Sequence, residues 1–200
     1  MSTEFEGKVV LVTGAGKGTG RAAAEAFAAR GAAVAANDIT PVNLDETVRR
    51  IHASGGRVKA CVADIAKKMP VQGLLNQVLD DFGRLDVLVN CAEVEPQKTV
   101  LEMDDWDWQR VLDVNLTGAF LLIQSVGRIM KEKSGGVIVL MGNRAHGPED
   151  RAAYFASKAG LEALARLAAE EFAAFGVRVH HVQPEPGLDV IDMILSLCQS

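Results

Sequence analysis

Short apolar runs alternate with longer amphipathic stretches along the whole chain. The runs are rich in valine, leucine and alanine and lie at residues 9–12, 32–37, 57–63, 85–89, 136–141 and 177–182. Continuous apolar runs of this length are typical of strands buried on both faces of a parallel sheet. Between them, apolar positions recur at helical spacing and predict helices at residues 20–30, 45–54, 71–82, about 104–133 and 152–175.

This alternation of strands and helices predicts the fold class. The turns are short and no Pro/Ser-rich linker interrupts the pattern. We therefore predict an α/β chain, with a Rossmann-type doubly wound parallel sheet of six strands in three layers, αβα, and one domain spanning residues 1–200. The alanine-rich helices would also suit a helical bundle, but the β-branched runs between them argue against that alternative.

Composition and charge narrow the classes of function. Apolar residues make up 48% and charged residues 24%, and the net charge of -5 provides no basic excess for nucleic acid. The acidic start MSTEFEGK is unlike a targeting peptide, and no apolar run approaches the roughly 20 residues of a membrane span. Cys61, Cys91 and Cys198 lack metal or disulfide spacing, and the histidines lack suitable partners. We expect a cytoplasmic protein with reduced thiols, no bound metal, no nucleic acid and no membrane partner.

A glycine-rich turn, TGAGKGTG at residues 13–20, follows the first strand. Glycine lets the backbone approach a phosphate closely and adopt a positive φ. The start of the next helix offers free N–H groups and a partial positive charge, which suit a pyrophosphate. The stretch predicts a nucleotide phosphate cradle. An ordinary tight turn between strand and helix is the alternative.

Asp38 ends the second predicted strand. In a dinucleotide fold, an acid at this position accepts hydrogen bonds from the adenosine ribose hydroxyls. It would also repel a 2′-phosphate, which favours NAD over NADP. The alternative is that Asp38 only caps a helix or turn.

Several motifs together resemble the short-chain dehydrogenase/reductase family over essentially the whole chain. They are TGxxxGxG in the glycine turn, an acid after each of strands two and three, NCAE after strand four, Asn115, and YFASK at residues 154–158. The resemblance implies that NAD binds to Gly14, Gly16, Lys17, Gly18, Thr19, Gly20, Asp38, Asp64, Ile65, Asn90, Ala92, Tyr154, Lys158 and Pro184.

The resemblance also implies a catalytic set of Asn115, Asn143, Tyr154 and Lys158. Tyr154 and Lys158 share one helix face, and a nearby ammonium favours the phenolate that exchanges a proton with substrate. In the family, the lysine also binds the nicotinamide ribose, and the asparagine matching Asn115 holds a water in the proton path. An isolated Tyr/Lys pair would otherwise be interpreted as a solvated helix face.

The chain departs from the family pattern at several positions. No Ser or Thr lies between Ser134 and Tyr154, where members usually carry a catalytic serine, so Asn143 is the candidate replacement. Glu93 stands where a glycine is expected and would bring a carboxylate near the cofactor. Members also continue past the point matching Ser200, so the apolar stretch 188–197 is expected to be a lid remnant or a helix over the edge of strand six.

Two hypotheses about function follow. The first is an NAD-dependent oxidoreductase that interconverts a secondary alcohol and a ketone by hydride transfer, with weak activity. The second is a catalytically impaired nucleotide-binding or scaffold protein on the same fold. Because apolar residues are spread around the two long predicted helices, and family members pair through these helices, we also expect a homodimer.

Overall fold

The structure is a computed structural model that describes residues 3–143, 150–184 and 187–199. Its strands are β1 (Val9–Thr13), β2 (Ala33–Asp38), β3 (Arg57–Val62), β4 (Val87–Asn90), β5 (Gly136–Met141) and β6 (Val177–Val182). Its α-helices are α1 (Gly18–Ala29), α2 (Pro41–Ala53), α3 (Lys68–Phe82), α4 (Asp105–Leu112), α5 (Ala119–Glu132), α6 (Ala152–Ala173) and α7 (Val190–Cys198).

The strands form one parallel sheet, as predicted. Its order is β3-β2-β1-β4-β5-β6, so the chain crosses from one edge of the sheet to the middle after β3. β1 pairs with β2 on one side and with β4 on the other, and Thr13 lies opposite both Asn37 and Asn90. The direction of winding reverses between β1 and β4. Crevices at such switch points are the usual ligand sites of open α/β sheets.

Helices cover both faces of this sheet. Alternate residues of β1 enter separate cores, since Val9 and Leu11 pack on one face and Val10 and Val12 on the other. The first face is covered by α3, α5 and α6, and the second by α1, α2 and α7. This confirms the predicted three-layer αβα arrangement and explains why β1 is apolar at successive positions.

The structure corrects the predicted long helix at residues 104–133. A π-helical segment, Asp113–Gly118, separates α4 from α5 and carries Asn115. A π turn inserts an extra residue into the hydrogen-bond ladder and frequently occurs at functional sites. Nothing in the apolar spacing distinguishes it from a continuous helix. The other predicted elements are observed with shifts of a few residues at their ends, the largest at the start of α2.

The predicted alternatives for residues 188–197 also need correction. These residues form α7, whose Ile194, Leu195 and Cys198 are buried in the core beside α1. The helix therefore lies on the face of the sheet and stabilises the core. It is neither a lid nor a cover for the edge of β6.

Two of the cysteines, Cys61 and Cys198, and the paired histidines of β6 belong to the packing of the fold. Burial raises the pKa of the Cys61 thiol to about 11 and that of Cys198 to about 12, which makes both poor nucleophiles. Burial lowers the pKa of His180 and of His181 on β6.

Within the described ranges, no group of three His, Cys, Asp or Glu side chains is placed to hold a metal ion. None of the described helices combines the length and apolarity that crossing a membrane requires.

Candidate active site

A cleft of about 360 Å³ opens at the carboxyl edge of the sheet, at the switch point between β1 and β4. The predicted cofactor residues that line it are Gly14, Lys17, Gly18, Thr19, Gly20, Asp38, Asp64, Ile65 and Ala92. These residues come from the end of β2, from the loops after β1, β3 and β4, and from the first turn of α1. The sheet order therefore gathers residues that are far apart in sequence into one groove.

The glycines of the first loop are required at two close contacts. Gly14 has φ +64°, and a Cβ there would lie 2.8 Å from the Cα of Ala92 in the neighbouring loop. A Cβ on Gly20 would collide with the backbone oxygen of Gly14. Gly18 has φ +54° and open space around it. The loop can thus lie directly over the ends of β1 and β4, with the start of α1 facing the cleft.

Asp38, the last residue of β2, lies beside the glycine loop and fixes it. Its Oδ2 accepts a hydrogen bond from the Gly16 amide at 2.9 Å, and its Oδ1 accepts from the Thr40 amide at 2.9 Å. Gly16 is not among the residues that line the cleft, but its amide holds the Asp38 carboxylate, which does line it. The Arg21 guanidinium donates to the carbonyl oxygens of Gly16 and Asn43, which holds the loop against α2.

The catalytic candidates Tyr154 and Lys158 lie one turn apart on α6, both buried. The Lys158 ammonium donates to the Met141 carbonyl at 2.8 Å, at the end of β5. It lies 5.4 Å from the centre of the Tyr154 ring. A solvated helix face is therefore the wrong interpretation for this pair, because both side chains point into the protein.

Glu93 completes this cluster from the loop after β4. Its Oε2 lies 2.7 Å from Lys158 Nζ and accepts a hydrogen bond from the Tyr154 hydroxyl at 3.3 Å. The Glu93 and Lys158 side chains are only 7% and 5% exposed. A buried ion pair of this kind is held together because either charge alone would be costly to bury. The carboxylate expected near the cofactor therefore contacts two of the catalytic candidates, Tyr154 and Lys158.

Asn115 anchors the loop that carries Glu93. Its Oδ1 accepts from the Val94 amide at 2.8 Å, and its Nδ2 donates to the Val94 carbonyl at 3.0 Å. The same amide nitrogen donates to Ser157 Oγ at 3.2 Å, on α6 between Tyr154 and Lys158. The predicted site residue thus lies in the cluster, where its side chain joins the loop to α6. A role in holding water stays a prediction.

The remaining predicted residues lie at different distances from the cleft. Asn90 is buried beneath it, and its Oδ1 accepts from Thr13 Oγ1 at 2.6 Å, which joins β1 to β4. Pro184 follows β6 and is not among the residues that line the cleft. Asn143 is half-buried just after β5, at the same edge of the sheet as Lys158. Its role as replacement for a serine stays a prediction.

Residues 8–188 match the family described as short chain dehydrogenase. A Thermotoga maritima protein described as an uncharacterized oxidoreductase is 41% identical over 182 residues, which cover 90% of this chain and 72% of the relative. The chain belongs to the short-chain dehydrogenase/reductase family. This membership confirms the predicted fold and the predicted oxidoreductase family.

Two solved structures of the family are similar to this chain. A metagenomic short-chain oxidoreductase in complex with NADP has a TM-score of 0.93 and 31% identity, covering 98% of this chain and 92% of that one. An NAD+-bound xylitol dehydrogenase has a TM-score of 0.86 and 34% identity, covering 96% and 76%. Members of the short-chain dehydrogenase/reductase family therefore bind nicotinamide cofactors of both kinds in this fold.

Several contributors to the site were not predicted. The cleft is also lined by Asn37, Ile39, Thr40, Asn43, Cys91, Val94, Arg110 and Val114. Arg110 is an example: its Nη1 lies 4.0 Å from Asp64 Oδ2, so it extends from α4 across to the loop after β3. One charged residue on an amphipathic helix carries no signal of such a role. Ser157, which accepts a hydrogen bond from Asn115, was also not predicted, although its position within the YFASK motif could have indicated it.

Proposed function

We propose that this chain is an NAD-dependent oxidoreductase that interconverts a secondary alcohol and a ketone. The observation that carries the proposal is the placement of Tyr154 and Lys158 on α6 at the carboxyl edge of the sheet, where the glycine loop and Asp38 line one cleft. When bound, the nicotinamide ring would accept or supply the hydride. Tyr154 would donate or accept the hydroxyl proton of the substrate.

The residues of the cleft fit a dinucleotide. Gly18 leaves open space at the start of α1, and the side chain of Lys17, the N-cap residue, makes no capping hydrogen bond there. Its N–H groups and Lys17 would hold the pyrophosphate. The Asp38 carboxylate would accept hydrogen bonds from the adenosine ribose hydroxyls, and Lys158 would donate to the nicotinamide ribose.

The proposed activity is tested by titrating the protein with NADH and NADPH, then following NADH absorbance with a panel of ketones and secondary alcohols. Turnover of any member supports the proposal. Tight NADH binding without turnover across a broad panel would instead favour a nucleotide-binding or scaffold protein.

Asp38→Ser is expected to weaken NADH binding and to raise NADPH affinity relative to NADH by about tenfold or more. The physical reason is that serine removes the carboxylate, which can accept from both ribose hydroxyls, and with it a charge that would repel the 2′-phosphate. Asp45→Ser is the matched control, because this exposed acid on α2 is outside the lining of the cleft. Tighter binding of NADPH than of NADH by the unmodified protein would contradict the assignment of Asp38.

We propose that the protein is cytoplasmic and forms a homodimer through α4, α5 and α6. Some of the apolar residues on these helices, such as Leu122 and Leu161, are buried in the chain's own core. Support comes instead from Trp106, Phe120 and Leu167 on these helices, which are 74%, 42% and 57% exposed.

Light scattering at micromolar concentration is expected to give the mass of a dimer. The double variant Phe120→Glu/Leu167→Glu should give a monomer, because a charge cannot be buried cheaply in a self-complementary apolar contact. Val42→Glu is the control, since Val42 is exposed on α2 at the other face of the sheet. A monomeric unmodified protein would contradict the proposal.

A further inference from the structure

Glu93 stands between the Tyr154–Lys158 pair and the open clefts. It lines the cofactor cleft and also a second cleft of about 580 Å³ beside α4, which includes Trp106. Among the described lining residues of these two clefts, neither Tyr154 nor Lys158 is present. Tyr154 is 0% exposed. A molecule entering either cleft therefore meets the Glu93 side chain before it meets the pair on α6.

We propose that the Glu93 carboxylate is an internal competitor for the nicotinamide end of the dinucleotide. It holds the Lys158 ammonium at 2.7 Å and the Tyr154 hydroxyl at 3.3 Å, which are the groups that a ribose and a substrate hydroxyl would need. The dinucleotide must displace this carboxylate before it can contact Lys158. This inference rests on the proposed function, since it concerns the same cofactor and the same pair.

The backbone on both sides of Glu93 is fixed, so the displacement must be a rotation of the side chain. On one side, Ala92 lies so close to Gly14 that a Cβ added to Gly14 would be 2.8 Å from the Ala92 Cα. On the other side, Val94 makes two hydrogen bonds with Asn115, at 2.8 and 3.0 Å. The long, flexible side chain of glutamate can reorient while this loop stays in place.

The displaced carboxylate has cationic neighbours within the same two clefts. Lys17 and Arg110 line both of them, as Glu93 does. Movement of the carboxylate away from Lys158 therefore leaves it near positive charge and solvent. Displacement of the carboxylate breaks the buried ion pair between Glu93 and Lys158. The adenosine end of the cleft, at Asp38, is unaffected. The competition should thus be specific to ligands that extend from Asp38 to Lys158.

The test compares NADH with ADP, which lacks the nicotinamide ribose, by isothermal titration calorimetry without substrate. Glu93→Gly is expected to bind NADH about tenfold more tightly, because binding no longer breaks a charge-assisted contact. Glu93→Gln, which keeps the size of the side chain and loses its charge, should show a smaller gain. Affinity for ADP should be the same in all variants. Glu102→Gln is the matched control, being an exposed acid before α4 outside both clefts.

A second readout uses the fact that Tyr154 is the single tyrosine of the chain. Nitration with tetranitromethane, located by peptide mass spectrometry, reports its accessibility. Glu93→Gly is expected to be nitrated at least several-fold faster than the unmodified protein, and Glu102→Gln at the unmodified rate. An NADH-to-ADP affinity ratio that does not respond to Glu93 would overturn the inference, whatever the nitration rate.

The outcomes separate this inference from the proposed function. If ADP and NADH both bind and the ratio does not respond to Glu93, the inference fails and the function stands. If neither nucleotide binds any variant, the proposed function fails and the inference fails with it. If Glu93→Gly does not fold, Glu93→Gln provides the test, since glutamine has the shape of glutamate. Equal NADH affinities of Glu93→Gln and the unmodified protein would contradict the competition.

Discussion

Tyr154→Phe is expected to lower turnover by at least about 10²-fold, because a positioned proton donor typically contributes 10²–10⁴ in rate. The ring should keep its place, since it is fully buried and packs edge-on against Phe155 with the ring centres 6.0 Å apart. The lost hydrogen bond to the Glu93 carboxylate should cost about 1.5–2 kcal/mol of unfolding free energy. Steady-state rates with the best substrate of the panel provide the measurement.

NADH affinity and thermal unfolding serve as controls for Tyr154→Phe. Unfolding should shift by no more than the loss of one hydrogen bond, because the substitution removes one oxygen and no apolar contact, and NADH affinity should change far less than turnover. Turnover that survives unchanged would show that Tyr154 is not the acid–base group. A loss of turnover together with a collapse of NADH binding would point to structural damage instead.

Gly20→Ala is expected to destabilise the fold by about 2–3 kcal/mol, in the range that overpacking costs. Its Cβ would collide with the backbone oxygen of Gly14, and a carbonyl in a tight loop cannot move aside as a side chain can. The start of α1 would be pushed from the end of β1, so nucleotide binding should weaken as well. Urea denaturation, followed by circular dichroism, measures the change.

Gly73→Ala is the matched control for this prediction. Gly73 is also helical, in α3, but it is exposed and a Cβ there would have open space around it. Alanine should stabilise α3 by up to about 1 kcal/mol, because glycine is the poorer helix former. If both alanine variants raise stability, the close contact between Gly20 and Gly14 is not a constraint on the fold.

The sequence indicated most of the site through residues that follow strands. Asp38 ends β2, Asp64 and Ala92 lie just after β3 and β4, and the carboxyl ends of parallel strands share one edge. Their approach to the same cleft follows from the fold class alone. Arg110 has no such marker, since it lies in the middle of α4 and reaches the cleft only because of how that helix crosses the sheet.

By itself, the sequence determined the αβα sheet, the glycine turn, and the Tyr154–Lys158 pair. These features depend on local periodicity and on the spacing of residues within one helix, strand or turn. Such local patterns can be recognised without knowing how distant segments pack. Only the tertiary structure decided that α7 packs on the face of the sheet, that a π turn places Asn115 beside Val94, and that Glu93 reaches Lys158. The physical reason is that these contacts join distant segments. Their geometry depends on the order of strands and on the direction of each side chain.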